Sequence, residues 1–149
     1  MQLVRTNTAQ KSSVTAIAVN RCYDLTYNSI ENRLYFTVKG YWKNCESVAH
    51  YLQDWQAALQ AVKPNFTLLA DLSCMITHPQ EVSNLHVAAQ QLLKKSGLLE
   101  AACVSPSDKI ASLQITSIQN RSNLAMRTFA TWQEAHTYLD GVSASFQQV

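Results

Sequence analysis

A chain of 149 residues with 47% apolar and 15% charged side chains has the make-up of one ordinary globular domain, not of a disordered chain. Its formal charge of +2 neither demands nor excludes an acidic partner. No window reaches the ~18 consecutive apolar residues of a membrane span, and residues 1–7 lack a secretory apolar core, so the cytoplasm is the expected location.

The chain opens on a polar stretch of about a dozen residues and then the apolar hexad Val14-Thr15-Ala16-Ile17-Ala18-Val19. Residues 1–20 are therefore expected to be a tail or arm, in which the hexad is an edge strand or a segment that docks on a partner. Residues 22–27 and 33–38 are rich in aromatic and β-branched side chains, with turn chemistry at 28–32 between them, which predicts a β-hairpin. Gly40 frees the backbone for a bend after it. Val48, Tyr51, Leu52, Trp55, Ala58, Leu59 and Val62 recur at three- and four-residue spacing, which predicts an amphipathic helix over 44–62, capped by Asn44 and stopped by Pro64.

Residues 66–72 run apolar and end in Asp71-Leu72-Ser73, the pattern of a central strand buried on both faces. A loop follows. Thr77-His78-Pro79 then starts a second helix whose buried face is Val82, Leu85, Ala89, Leu92 and Leu93, with Gly97 as its stop. Residues 98–104 read as a third buried strand. Ser105-Pro106-Ser107 introduces a helix over 108–119 with Ile110, Leu113 and Ile118 on its face. Residues 124–129 form a short strand, and Thr131-Trp132-Gln133-Glu134 is a capping box. That box opens a helix carrying Ala135, Tyr138 and Leu139, which ends before Gly141; residues 142–149 are expected to be a tail. The fold class is α/β: one domain over 21–141, a mixed, mostly parallel sheet with an N-terminal hairpin and about four helices.

Over residues 23–141 the chain resembles the STAS-like domains, which include the bacterial anti-sigma-factor antagonists. The resemblance rests on the hairpin ending in Gly40, the helix after it, the Ala70-Asp71-Leu72-Ser73 strand ending and the closing Thr128-Phe129-Ala130-Thr131-Trp132-Gln133-Glu134-Ala135-His136-Thr137-Tyr138-Leu139. It implies a STAS-like fold, and a bacterial, non-enzymatic regulatory module that presents the loop after the central strand, with the following helix, to a protein partner. Family antagonists place a phosphorylatable Ser or Thr after an Asp at the start of that helix. Here His78-Pro79-Gln80-Glu81-Val82 stands in its place, so the switch is not carried over. Glu81 either imitates a permanent charge or simply favours the helix start. Thr77 and Ser73 are the remaining candidate phosphosites, and each has a structural alternative, as a helix cap or a bond to a loop amide.

The candidate binding surface is thus Asp71, Ser73, Thr77, His78, Gln80 and Glu81, joined by Tyr41 and Trp42. These two adjacent aromatics either line a pocket or interface, or staple the approach to the first helix. Asp71 and His78 suggest an acid–base pair, but no nucleophile accompanies them. His50, His78, His86 and His136 fall one per element, with no ligand spacing. Cys22, Cys45, Cys74 and Cys103 are scattered, the pattern of core thiols; Cys45, ahead of a helix, is the one placed to be reactive. No glycine-rich phosphate loop and no basic stripe exists, so no cofactor, metal or nucleic acid is expected. The expected partner is a protein or a second copy of the chain, as a homodimer. The alternative is a small-ligand or lipid-binding domain using Tyr41, Trp42 and Trp55.

Overall fold

The computed structural model describes residues 13–44 and 48–147. Strands β1 (Val14–Val19), β2 (Tyr23–Asn28) and β3 (Arg33–Val38) form an antiparallel meander. From β3 onward, β4 (Phe66–Asp71), β5 (Leu98–Val104) and β6 (Arg127–Phe129) run parallel, and the six strands lie side by side in chain order. The helices are α1 (Tyr51–Ala61), α2 (Gln80–Lys94), α3 (Lys109–Ser122) and α4 (Trp132–Gln147). No helix among the described residues is long and apolar enough to cross a membrane.

Strand order explains the layers. Each crossover from β3 to β6 steps one strand in the same direction, and crossovers of one hand then place α1, α2 and α3 on the same face. Their buried side chains join Leu34, Phe36, Leu68, Ala70, Ala101 and Cys103 in one apolar cluster. α4 follows the last strand and is free to take the opposite face, where Ala135 and Leu139 pack on Leu69, Ala102 and Val104. β4 is therefore covered on both sides, which is why Phe66 to Ala70 are all buried and the strand reads as an unbroken apolar run. In the β2–β3 turn, Asn28 Oδ1 accepts from the N–H groups of Ile30 and Glu31, and Asn32 takes a left-handed φ of 52°.

The hairpin and the capping box lie where the sequence places them: Thr131 Oγ1 accepts from Glu134 N at 3.2 Å and Glu134 Oε1 accepts from Thr131 N at 3.2 Å. The strands do too, except that the last is Arg127–Phe129, shorter than the expected 124–129. Several boundaries differ. The hexad is an edge strand, so the domain begins before residue 21. α1 starts at Tyr51, not Asn44, with His50 at its N-cap and no side-chain cap bond, and Trp42 on the way to it is buried. α3 buries Ala111, Ile115, Ile118 and Ser122 and turns Ile110 and Leu113 outward. Asp108, accepting from Ala111 N at 2.9 Å, sets that phase, and small residues let the helix pack close to α2. In α2, His86 and Ser83 are buried where Leu85 and Leu92 were expected; those leucines are half-buried at the flank. α4 passes through Gly141 to Gln147, since Arg33 holds both Asp140 and Ser143 against the sheet. Cys74 is exposed rather than in the core. Cys45 and residues 1–12 lie outside the described residues.

Candidate functional site

The segments leaving β3 and β4 are laced together. Gly40, at a left-handed φ of 63°, makes an isolated parallel bridge with Met75: Gly40 N donates to Cys74 O at 3.2 Å and Ile76 N donates to Gly40 O at 3.3 Å. Asp71 terminates β4 as a loop cap, its Oδ1 accepting from Ser73 N at 3.1 Å and Ser73 Oγ at 2.7 Å. Ser107, before α3, donates through N and Oγ to Ser73 O at 3.4 and 3.1 Å. A phosphate on Ser73 would therefore displace a hydroxyl bonded to a carboxylate, against like charge.

Thr77 is half-buried and does not cap α2. Pro79 holds that position, and its carbonyl accepts from Val82 N at 3.0 Å. Gln80 and Glu81 are exposed in the first turn. Tyr41 is exposed and Trp42 is fully buried, so the pair splits: Trp42 staples the approach to α1, its Nε1 donating to Cys22 O at 2.8 Å.

His78 is buried with it. The Trp42 indole stacks on the His78 ring at 4.6 Å between centroids and lies 4.9 Å from the His86 ring. His78 Nδ1 is 3.0 Å from His86 Nε2, His86 Nδ1 is 2.9 Å from Tyr51 Oη, and His78 Nε2 is 3.4 Å from Gly40 O. The His78 backbone is clamped as well, its N–H donating to Gln114 Oε1 at 2.8 Å and its carbonyl accepting from Gln114 Nε2 at 2.6 Å. Burial pulls the His78 pKa from 6.5 down to about 4, against the bond to Gly40 that favours the charged form. Burial, with the charge of His78 as a lesser cause, takes His86 down to about 3. Burial raises Tyr51. All three groups stay neutral at physiological pH.

The structure therefore does not pair Asp71 with His78. Asp71 holds the loop, and the partners of His78 are His86 and Gly40. His86 and Gln114 join the site without being expected there from the sequence, and Tyr51 was expected only on the apolar stripe of the first helix. One signal for His86 was present: it sits between Val82 and Ala89 on the apolar stripe of α2, and a polar side chain there needs a buried partner.

On the opposite face, fully buried Arg33 donates from Nε to Thr67 Oγ1 at 2.8 Å and from Nη1 to Asp140 Oδ1 at 3.0 Å, with Glu31 Oε2 at 3.8 Å. His136 lies between the two acids, 3.4 Å from Glu31 Oε2 and 3.4 Å from Asp140 Oδ2. Glu31, His136 and Asp140 are close enough to share a metal ion. The Arg33 guanidinium already supplies a cation to both carboxylates.

Two spaces bear on ligand binding. Inside the core, next to Tyr51, Trp55, Met75 and His86, lies an apolar space of about 30 Å³. It has room for about one water molecule. An open cleft of about 800 Å³ lies between the β1–β2 turn and the start of α1, lined by charged Arg21, Lys43 and Asp54 as well as Tyr23, Tyr41 and His50. In it, Tyr23 Oη donates to Asp54 Oδ2 at 2.5 Å, and burial, then this bond, raises the tyrosine pKa. Compared with known proteins, the chain matches no family model and no curated protein.

Proposed function

We propose that this chain is a cytoplasmic, non-enzymatic regulatory module that docks a protein partner on the surface around the β4–α2 loop. The observation that carries the reading is a set of large apolar side chains facing solvent: Tyr41 is 55% exposed, Ile76 49%, Ile110 65% and Leu113 72%. They ride on segments tied to one another through Gly40 with Ile76 and through His78 with Gln114. Exposed apolar side chains on segments fixed to one another fit a binding face. The histidines beneath are 2% and 6% exposed, which suits support of that face better than contact with a substrate. The STAS-like resemblance adds weight, since it implies the same working surface. A second copy of the chain is one partner within this reading, with β1 an edge strand that, among the described residues, pairs on one side alone.

The test is a pull-down with the wild type and with Ile76→Asp/Leu113→Asp, two exposed positions whose change leaves the core intact, together with sedimentation to read self-association. We expect a specific partner, or a dimer, that the double variant loses while keeping its circular dichroism spectrum. A monomer that retains the same proteins in both forms contradicts the reading.

The second reading, a small-ligand domain, draws on the 800 Å³ cleft, whose size is within the range of ligand sites. Its charged lining favours a polar ligand over a lipid, and Trp42 and Trp55 are core residues rather than its walls. Native mass spectrometry of the purified protein, read for a retained small molecule, separates the two.

A further inference from the structure

We propose that Tyr51, His86, His78 and Gly40 form a one-way hydrogen-bond chain that latches the β3 and β4 exits together, and that acid opens this latch before the sheet unfolds. The direction follows by elimination. Gly40 O can only accept, so His78 Nε2 carries the hydrogen of that contact. Neutral His78 then has an acceptor at Nδ1, which requires His86 to donate from Nε2. His86 Nδ1 is left as an acceptor and takes the Tyr51 hydroxyl proton. Every ring nitrogen is satisfied in this order, with both rings in the Nε2–H form.

The chain ends where the proposed docking face begins. Gly40 O receives two donors, His78 Nε2 and Ile76 N, and Tyr41 follows it directly. A proton added at His78 Nδ1 meets the Nε2–H of His86 head-on. Relief requires His86 to shift its hydrogen to Nδ1, which turns Tyr51 from donor to acceptor and leaves its hydroxyl proton without this partner. What the charge keeps in return is the Nε2–H bond to the Gly40 carbonyl, which burial outweighs. The groups facing the pair are the Trp42 indole ahead of α1, Tyr51 of α1, the Gly40 carbonyl, and Gln114 of α3 on the His78 backbone. Among the described residues no carboxylate bonds to either ring, and Asp54, two residues into α1 beyond Leu52, is taken by Tyr23. Opening the latch is the cheapest route to water for a charged His78, since its loop lies at the surface and His86 lies in the middle of α2.

This deepens the docking reading by naming what holds that face and what releases it. The test uses no partner, so a failed pull-down and a failed titration are separate results. The experiment is an acid titration of the ¹⁵N-labelled full chain followed by long-range ¹H–¹⁵N spectra of the imidazoles and by the backbone amides. We expect both rings as neutral Nε2–H tautomers at pH 7. On acidification, the Tyr41 and Ile76 amide signals should move with the same midpoint as His78, while Leu68 and Ala102 keep their positions. A Nδ1–H tautomer at either ring overturns the chain. Signals of Tyr41 and Ile76 that stay fixed until all sheet signals collapse together overturn the latch.

Discussion

The two faces of the sheet each hold histidine among polar partners, and they meet the cost of burial in opposite ways. Under α1, α2 and α3 the groups are sealed, and the row from Tyr51 to Gly40 is uncharged, each donor matched to one acceptor. Under α4, a buried guanidinium is balanced by Glu31 and Asp140, both of which still reach water. A sealed charge without a partner costs several kcal/mol, whereas a half-exposed cluster leans on solvent for what its partners do not supply. The sealed face is thus the rigid support, and the open face tolerates change.

Substitution tests that contrast most strongly. His86→Leu leaves the Tyr51 hydroxyl and His78 Nδ1 unpaired in the core, at about 1–3 kcal/mol for each, so urea unfolding should show a loss of about 2–6 kcal/mol. His136→Leu, at the partly exposed cluster, should change stability by less than about 1 kcal/mol. Equal losses would erase the distinction between the faces.

Acid sharpens the contrast next. The folded pKa values of His78 and His86, about 4 and about 3, lie below the ordinary 6.5. The unfolded chain therefore binds more protons across that window, and the stability these groups carry is full above pH 6.5 and drains away as pH falls toward 4. The slope reaches about 1.4 kcal/mol per pH unit for each histidine. Urea midpoints measured from pH 7 to pH 4.5 should fall steadily in the wild type and much less in His78→Asn/His86→Gln, provided that variant folds; a wild-type midpoint flat over this range is the contrary result.

The smallest effect lies on α4. Gly141 sits inside the helix, and a Cβ there would meet nothing within 4 Å. Gly141→Ala should stabilise the protein by about 0.5–1 kcal/mol, visible as a rise in Tm. No rise would mean that α4 frays before its end.

Much of this was legible along the chain, because two-sided burial leaves a signature that needs no partner information. Phe66 to Ala70 read as a covered strand because helices close both of its faces, and Thr131 with Glu134 marked the start of α4 locally. In α3 the exposed Ile110 and Leu113 are larger than the buried Ala111 and Ser122, so side-chain size points the wrong way where close helix packing selects small residues. The tail expected after Gly141 is helix because Arg33, more than a hundred residues earlier, bonds Asp140 and Ser143. The His78–His86 pair was hidden for the same reason. Its apposition depends on Trp42 and Tyr51, which only the folded chain brings to it.

The central claim, that the working face is the apolar rim over the sealed histidines and not the charged face under α4, is open to one direct measurement. A photo-crosslinking amino acid placed in living cells at Ile76, at Leu113 and, for contrast, at Trp132 reports what each face touches. The account predicts one common crosslinked species, a partner or a second copy of the chain, from Ile76 and Leu113 and none from Trp132. A crosslink confined to Trp132, or none from any position, would contradict it.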